Sequence, residues 1–166
     1  KAGTEEQDAE RNYYVVKEII SFVDEATGSE ILVMPADDYQ VTAMVDFGTK
    51  VLGTQNATMK NISEFKSEIA NSRTFSFLHE LETLLDEGLI KGGDLNNAIV
   101  YVDKDISQST MENLKVAFGK DHIAVKPNGI LDNLTLHYPN EAARHKLLDV
   151  VGDLALIGTR IKGKVI

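Results

Sequence analysis

The segment that most constrains the fold is residues 144–158, which read as one helix at about 100° per residue. Its apolar positions share one face: Ala143, Leu147, Val150, Val151 and Leu154. His145, Asp149 and Asp153 follow at intervals of four residues and form a polar stripe on the opposite side. From Leu147 to Ile157 the only polar side chains are the two aspartates, so the sequence predicts a buried helix.

The polar stripe predicts a metal site. Carboxylates that are buried with a helix need a cation, a metal or strong donors, because an unpaired buried charge is very costly. His145 and Asp149, four residues apart on one helix face, have the spacing that lets two side chains bind one metal ion. The alternative interpretation is an ordinary helix with one exposed edge.

Composition narrows the classes of partner. The 166 residues suit one domain, and 17 basic against 26 acidic side chains give a net charge of −9. This charge disfavours nucleic acid or an anionic membrane as a general partner. The sequence contains no cysteine, which excludes disulfides and thiolate metal sites and is compatible with the cytoplasm. No apolar run approaches the ~20 residues of a transmembrane helix.

The first third of the sequence predicts β structure. Strands are expected at residues 13–16, 19–23, 31–34 and 40–47, and their short polar turns favour an antiparallel meander, with another short strand near residues 57–60. A helix capped by Ser63 should follow. Residues 72–75 then connect it to a helix from about Ser76 to Glu87, and residues 97–102 form a strand, which completes a βαβ-like excursion.

The remaining residues complete an α+β fold. Ser109 and Glu112 form a predicted capping box for a short helix within residues 103–129, a polar segment expected to be a surface appendage. Asn140 is the predicted N-cap of the central helix, and residues 160–166 form a last strand. The predicted architecture is a two-layer sandwich of a mixed, mostly antiparallel sheet with packed helices, plus a βαβ insert.

Five motifs, in order, resemble one family: Asn-Ser-Arg-Thr-Phe-Ser-Phe at 71–77, Gly-Leu-Ile-Lys-Gly-Gly at 88–93, Asn-Ala-Ile-Val at 97–100, Arg-His-Lys-Leu-Leu-Asp at 144–149 and Gly-Asp-Leu at 152–154. The family is the zinc-dependent UDP-3-O-acyl-N-acetylglucosamine deacetylase of lipid A biosynthesis in Gram-negative bacteria. The resemblance implies two βα domains that face each other across the active site. The long segment 103–129 is similar to Bacteroidetes forms, in which the deacetylase is often fused to a hydroxyacyl-carrier-protein dehydratase.

The resemblance also implies roles for single residues. His145 and Asp149 look like two of three zinc ligands, and Asp153 looks like the carboxylate that orients a catalytic His. Lys146 looks like a cation near the sugar diphosphate, and Thr74 like the donor to the tetrahedral oxyanion. A further set resembles the substrate-binding acyl-chain passage: Phe75, Phe77, Leu78, Leu81, Ile90, Gly93, Leu95, Ala98 and Val100.

The resemblance covers part of an enzyme. Residues 1–12 are expected to be a linker from an absent upstream domain, and residues 13–166 a second domain that ends before its C-terminal His motif. The third zinc ligand and the glutamate base are expected in the upstream domain, so the chain alone should be inactive. Two alternatives are a non-catalytic α/β binding module and the dehydratase itself, which is disfavoured because its His and Glu motifs are not visible.

Overall fold

The structure, a computed structural model, describes residues 12–86 and 97–166. In these ranges the elements are β1 (Tyr13–Val15), β2 (Ile20–Asp24), β3 (Ser29–Met34), β4 (Tyr39–Val45), β5 (Gln55–Met59), β6 (Thr74–Phe77), α1 (Leu78–Asp86), β7 (Ala98–Tyr101), α2 (Gln108–Phe118), α3 (Glu141–Ala155) and β8 (Arg160–Val165). A 3₁₀ turn (Ile62–Glu64) and a π-helical turn (Phe65–Ile69) lie between β5 and β6. The α+β class predicted from the sequence is confirmed.

The last strand, β8, lies in the middle of the main sheet. The strand order is β2-β3-β8-β4-β5, and β1 also pairs with β8. Strand β8 runs antiparallel to β3 and parallel to β4 and β1, so the sheet is mixed. The predicted antiparallel meander is wrong, because β8 separates β3 from β4. Alternating apolar residues indicate which face of a strand is buried and do not indicate which strand lies beside it.

Helix α3 covers one face of this sheet. Ala143 and Leu147 are fully buried in a core that includes Val41, Met59 and Val165. The rest of the predicted apolar face packs against the edge of the same core: Val150, Val151 and Leu154. The periodicity therefore identified the packed face of the helix correctly.

Burial of the segment on all sides is not observed. Leu156 is 86% exposed and Ile157 is 59% exposed, both just after the last turn of α3. The sheet covers only the face of α3 that carries Leu147, and within the described residues no second layer covers the C-terminal end. The prediction of an all-round buried helix is therefore wrong at that end.

Strands β6 and β7 form a second, parallel sheet with register from Thr74↔Ala98 to Phe77↔Tyr101. Helix α1 lies in the crossover between them, which confirms the predicted βαβ excursion. The predicted connection at residues 72–75 and the helix start at Ser76 are wrong, because β6 occupies residues 74–77. Phe75 and Phe77 repeat with a period of two, so a strand directs both rings to one face.

Residues 103–129 contribute two side chains to the core. Leu114 on α2 and Ile123 are buried together with Leu78, Val100 and Leu131. The expectation of a surface appendage is therefore wrong. The segment is polar overall because only one side of α2 meets the β6–β7 sheet, and the other side faces solvent.

Two predicted helix caps lie close to the observed ones. The capping acceptor before the 3₁₀ turn is Asn61 rather than Ser63, and the cap of α2 is Ser107 rather than Ser109. Asn140 precedes α3 as predicted, but its side chain makes no capping hydrogen bond. Neighbouring Ser and Asn residues satisfy the same capping preference, so a pattern fixes a helix start only to within one or two residues.

The predicted linker, residues 1–12, lies outside the described residues except for Asn12. Within the ranges 12–86 and 97–166, no helix combines the length and apolar character needed to cross a bilayer.

Candidate active site

A backbone carbonyl holds the ring of His145. Nδ1 of His145, on the second turn of α3, lies 3.1 Å from the carbonyl oxygen of Ser72. A carbonyl oxygen can only accept a hydrogen bond, so Nδ1 carries the proton and Nε2 carries the lone pair of the neutral ring. The side chain is 18% exposed. His145 thus presents an electron-pair donor at the surface of α3.

The carboxylate of Asp149 lies between His145 and Lys146. Its Oδ1 is 3.5 Å from His145 Nε2, and its Oδ2 accepts a hydrogen bond from Lys146 Nζ at 3.0 Å. Two neighbouring ligands of a tetrahedral zinc ion, each at about 2.1 Å from the metal, are about 3.4 Å apart. The spacing of Nε2 and Oδ1 and their nitrogen and oxygen chemistry therefore fit two ligands of one zinc ion.

These two side chains form an incomplete metal site. In the part of the chain that the structure describes, no group of three or more His, Asp or Glu side chains has a geometry that could hold a metal ion. Catalytic zinc sites normally use three protein ligands. His145 and Asp149 would therefore need a third ligand from outside these residues.

Lys146 lies beside an aromatic wall, defined here as Phe47, Phe75 and Phe77. Lys146 Nζ is 5.6 Å from the centroid of the Phe75 ring. The Phe47 ring packs edge-on against Phe75 at 5.4 Å and against Phe77 at 5.7 Å between centroids. Phe47, which the sequence did not single out, is 46% exposed. The wall places apolar ring surface, mainly that of Phe47 and Phe75, next to a cation.

Thr74 and Asp153 are both exposed. Thr74 is the first residue of β6, two positions after the carbonyl that holds His145. Its hydroxyl is a hydrogen-bond donor. Asp153 lies one helical turn beyond Asp149 on the same stripe of α3. The polar stripe therefore continues along the helix away from the His145–Asp149 pair.

The predicted lining residues of the acyl passage occupy both faces of the β6–β7 sheet. Strand alternation and packing place one group on the same face as Thr74: Leu78, Leu81, Ala98 and Val100. Phe75 and Phe77, two rings of the aromatic wall, lie on the other face. Ile90, Gly93 and Leu95 lie outside the described residues. Leu78 and Val100 are almost fully buried, whereas Ala98 and Leu81 are partly accessible.

A buried ion pair lies one helical turn before His145. Glu141, the first residue of α3, has no exposed surface. Its carboxylate accepts two hydrogen bonds from backbone amides, Arg73 N at 3.0 Å and His137 N at 2.7 Å. It accepts two more from the Arg73 side chain, Nε at 2.8 Å and Nη2 at 3.0 Å. Burial raises the pKa of Glu141, but the hydrogen bonds from Arg73 and His137 outweigh burial and hold the pKa below its ordinary value. The pair joins the start of α3 to the residue before β6.

No local pattern in the sequence indicates this pair. Glu141 follows Pro139 and Asn140, so it reads as one of the acidic residues that are common in the first turn of a helix. Arg73 belongs to the motif at 71–77, but 68 residues separate the two side chains. Only the fold brings them together.

A profile of the UDP-3-O-acyl N-acetylglycosamine deacetylase family matches residues 1–118 and 110–166. The chain is 46% identical over its full length to the "Bifunctional enzyme LpxC/FabZ" of Bacteroides thetaiotaomicron, of which it covers 36%. It is 41% identical over its full length to the protein of the same name from Porphyromonas gingivalis, again covering 36%.

A relative that is named for the deacetylase alone matches as well. Over 99% of the chain, identity is 31% to the "UDP-3-O-acyl-N-acetylglucosamine deacetylase" of Syntrophotalea carbinolica, of which the chain covers 45%. The chain thus spans roughly a third to a half of the length of these relatives. The profile match extends over all 166 residues, including the motifs that surround His145 and Thr74. The chain belongs to the UDP-3-O-acyl N-acetylglycosamine deacetylase family.

Proposed function

We propose that this chain is the second domain of a zinc-dependent deacetylase that removes the N-acetyl group of UDP-3-O-acyl-N-acetylglucosamine in lipid A biosynthesis. The observation that carries the proposal is the distance of 3.5 Å between His145 Nε2 and Asp149 Oδ1, with the His145 tautomer set by Ser72. Family membership supports the reaction. Because the chain spans only part of its relatives, the complete site needs residues from elsewhere in the protein.

Zinc held by His145, Asp149 and a third ligand outside this chain would polarise the acetamide carbonyl and lower the pKa of a bound water. The Thr74 hydroxyl donates a hydrogen bond to the oxyanion that forms at the attacked carbonyl. Lys146 attracts the diphosphate of the sugar nucleotide. The Asp153 carboxylate orients a catalytic imidazole that this chain does not contain. A glutamate base and that imidazole, both outside this chain, move the protons.

The acyl chain has a candidate route along one face of the small sheet. Thr74, Ala98 and Val100 share that face, so a passage there would begin next to the proposed oxyanion donor. Leu78 and Leu81 add apolar surface from α1. Ile90, Gly93 and Leu95 are proposed to complete the passage. Phe75 and Phe77, on the opposite face beside Lys146, are proposed to contact the substrate nearer to its polar end.

The same proposal includes partners and location. The upstream deacetylase domain is the partner that completes the zinc site. A fused dehydratase domain is supported by the two relatives whose names combine two enzymes. A cysteine-free chain suits the reducing cytoplasm, where we propose that the protein acts.

Release of acetate from UDP-3-O-acyl-N-acetylglucosamine by the complete protein tests the proposal. We expect turnover in the wild type and a loss of at least about 100-fold in His145→Ala or Asp149→Ala, since each removes a metal ligand. Thr74→Val should lower kcat by about 100-fold or more and leave KM nearly unchanged. The 166-residue chain alone should show no turnover, because groups that act as a unit are missing.

The matched control is Glu68→Gln. Glu68 forms an exposed ion pair with Arg144, the neighbour of His145 on α3, at 3.2 Å. This variant should keep wild-type turnover, because an exposed pair contributes little. Substrate binding without turnover in the complete wild-type protein would instead indicate a non-catalytic binding module. Full activity in His145→Ala would exclude the proposed metal site.

A further inference from the structure

We propose that the buried Arg73–Glu141 pair is a positioning unit for His145. By fixing the peptide group between Ser72 and Arg73, it keeps the His145 imidazole in the tautomer that presents Nε2 toward Asp149. The inference deepens the proposed function, because it takes His145 as the side chain whose Nε2 must be available.

The central element is one peptide group with both of its polar atoms engaged. The carbonyl oxygen of Ser72 accepts from His145 Nδ1 at 3.1 Å, and the N–H of Arg73 donates to Glu141 Oε1 at 3.0 Å. These atoms belong to the same peptide bond, which is planar and rigid. Fixing the direction of its N–H therefore fixes the direction of its C=O.

The two side chains that bind this peptide lie one turn apart on α3. Glu141 and His145 are at positions i and i+4, so they project from the same side of the helix. One planar peptide thus bridges two successive turns, with the carboxylate at one end and the imidazole at the other. The contact closes a ring of covalent and hydrogen bonds that runs through α3, His145, the 72–73 peptide and Glu141.

The arginine side chain keeps the carboxylate in place. Arg73 Nε and Nη2 donate to the two different oxygens of Glu141, and Nη2 also donates to the carbonyl of Thr135 at 2.7 Å. Such a forked contact sets the plane of the carboxylate as well as its position. Oε1 is therefore held where it accepts the Arg73 amide.

Without this arrangement Nδ1 of His145 loses its acceptor, while Nε2 still faces the carboxylate of Asp149. The proton of a neutral imidazole goes to the nitrogen that finds an acceptor, and in water both tautomers are populated. A Ser72 carbonyl that rotates away from Nδ1 removes the acceptor. A proton on Nε2 then blocks the lone pair that faces Asp149.

The test is ¹⁵N NMR of the histidine side chains in the 166-residue protein, recorded at alkaline pH where the imidazoles are neutral. Four histidines are present, and the signals of His145 are assigned by their loss in His145→Gln. We expect the wild type to show only the Nδ1–H tautomer at His145. The double variant Arg73→Met/Glu141→Leu removes both charges together and should show a mixture of tautomers.

Two further variants separate positioning from folding. Arg73→Lys keeps the backbone N–H and the Glu141 acceptor, so it should keep the pure Nδ1–H tautomer even if its melting temperature falls. Glu68→Gln should change neither the tautomer of His145 nor the melting temperature. If the double variant does not fold, Glu141→Gln decides, since its single carbonyl oxygen cannot serve both the Arg73 and the His137 amides and a mixed tautomer is expected.

The inference is overturned if the folded double variant shows a pure Nδ1–H tautomer. If the double variant does not fold, the same result in Glu141→Gln overturns it. An Nε2–H tautomer in the wild type also overturns it. The measurement uses no metal and no substrate. Failure of the proposed function would appear separately, as full deacetylase activity in His145→Ala of the complete protein.

Discussion

At the scale of single residues, Glu141 links the stability of the fold to the candidate site. Its carboxylate is fully buried, yet four donors surround it, and one of them is the amide whose peptide group also holds His145. Removing one partner of a buried pair leaves the other charge uncompensated, which costs more than the intact pair contributes. We therefore predict a large effect from one substitution that lies outside the proposed metal ligands.

Glu141→Gln should lower the free energy of unfolding at neutral pH by about 3 kcal/mol. The pKa of Glu141 in the fold lies below its ordinary value of 4.5, so the ionised carboxylate stabilises the protein above that pH. This contribution is lost as the pH falls below 4.5 and through the lowered value in the fold. Urea unfolding at neutral and acidic pH should show the difference between wild type and variant shrinking in acid.

Glu68→Gln is the control for this measurement. Glu68 is exposed and pairs with Arg144, so its replacement should change the free energy of unfolding by less than about 0.5 kcal/mol. A wild-type advantage over Glu141→Gln that stays constant from neutral to strongly acidic pH would contradict the proposed role of the ionised carboxylate.

At the scale of secondary-structure elements, the sequence predicted what depends on local periodicity. The packed face of α3 followed from the spacing of Leu147, Val150 and Leu154, because a helix of 15 residues repeats its pattern several times. The four residues of β6 repeat their pattern only twice, so the sequence predicts a connection at residues 72–75 and a helix start at Ser76 where the structure has a strand. Short elements contain too few repeats to distinguish a period of 2 from one of 3.6.

Contacts that are distant in the sequence were not predictable. The position of β8 between β3 and β4, and the pairing of Arg73 with Glu141, depend on how whole elements pack. Both the edge and the centre of a sheet accept the same alternating strand. The proposed ligands His145 and Asp149 could be predicted as a pair from the sequence, because one helix carries both and their spacing alone sets the distance between them.

Helix α2 gives the sharpest test at this scale, because the sequence indicated an appendage and the structure shows a core element. Leu114→Ala should lower the free energy of unfolding by about 3 kcal/mol, since Leu114 is 1% exposed and its loss leaves a cavity. Val116→Ala, two residues away and 83% exposed, should change it by less than about 0.5 kcal/mol. Equally small changes for both variants in chemical denaturation would contradict the role of α2 in the core and would favour a surface appendage.

At the scale of the whole molecule, part of the candidate site is accessible among the described residues, since the side chain of Lys146 is 44% exposed and that of Asp149 is 36% exposed. The main sheet supports α3 from behind, the β6–β7 sheet supplies Thr74, Phe75 and Phe77, and the third ring of the aromatic wall, Phe47, follows β4. His145 and Asp149 provide two donors, one fewer than a catalytic zinc site normally takes from protein. The relatives are two to three times as long as this chain, which supports the proposal that a further domain completes the site.

The position of zinc in the complete protein tests this proposal most directly. Diffraction data collected on both sides of the zinc absorption edge locate the metal without any assumption about activity. We predict one anomalous peak within about 2.0–2.2 Å of His145 Nε2 and of an Asp149 oxygen, with a third ligand from outside residues 1–166. The peak should vanish in the His145→Ala/Asp149→Ala double variant. A zinc ion bound elsewhere in the wild type, or a peak that persists in the double variant, would contradict the assignment.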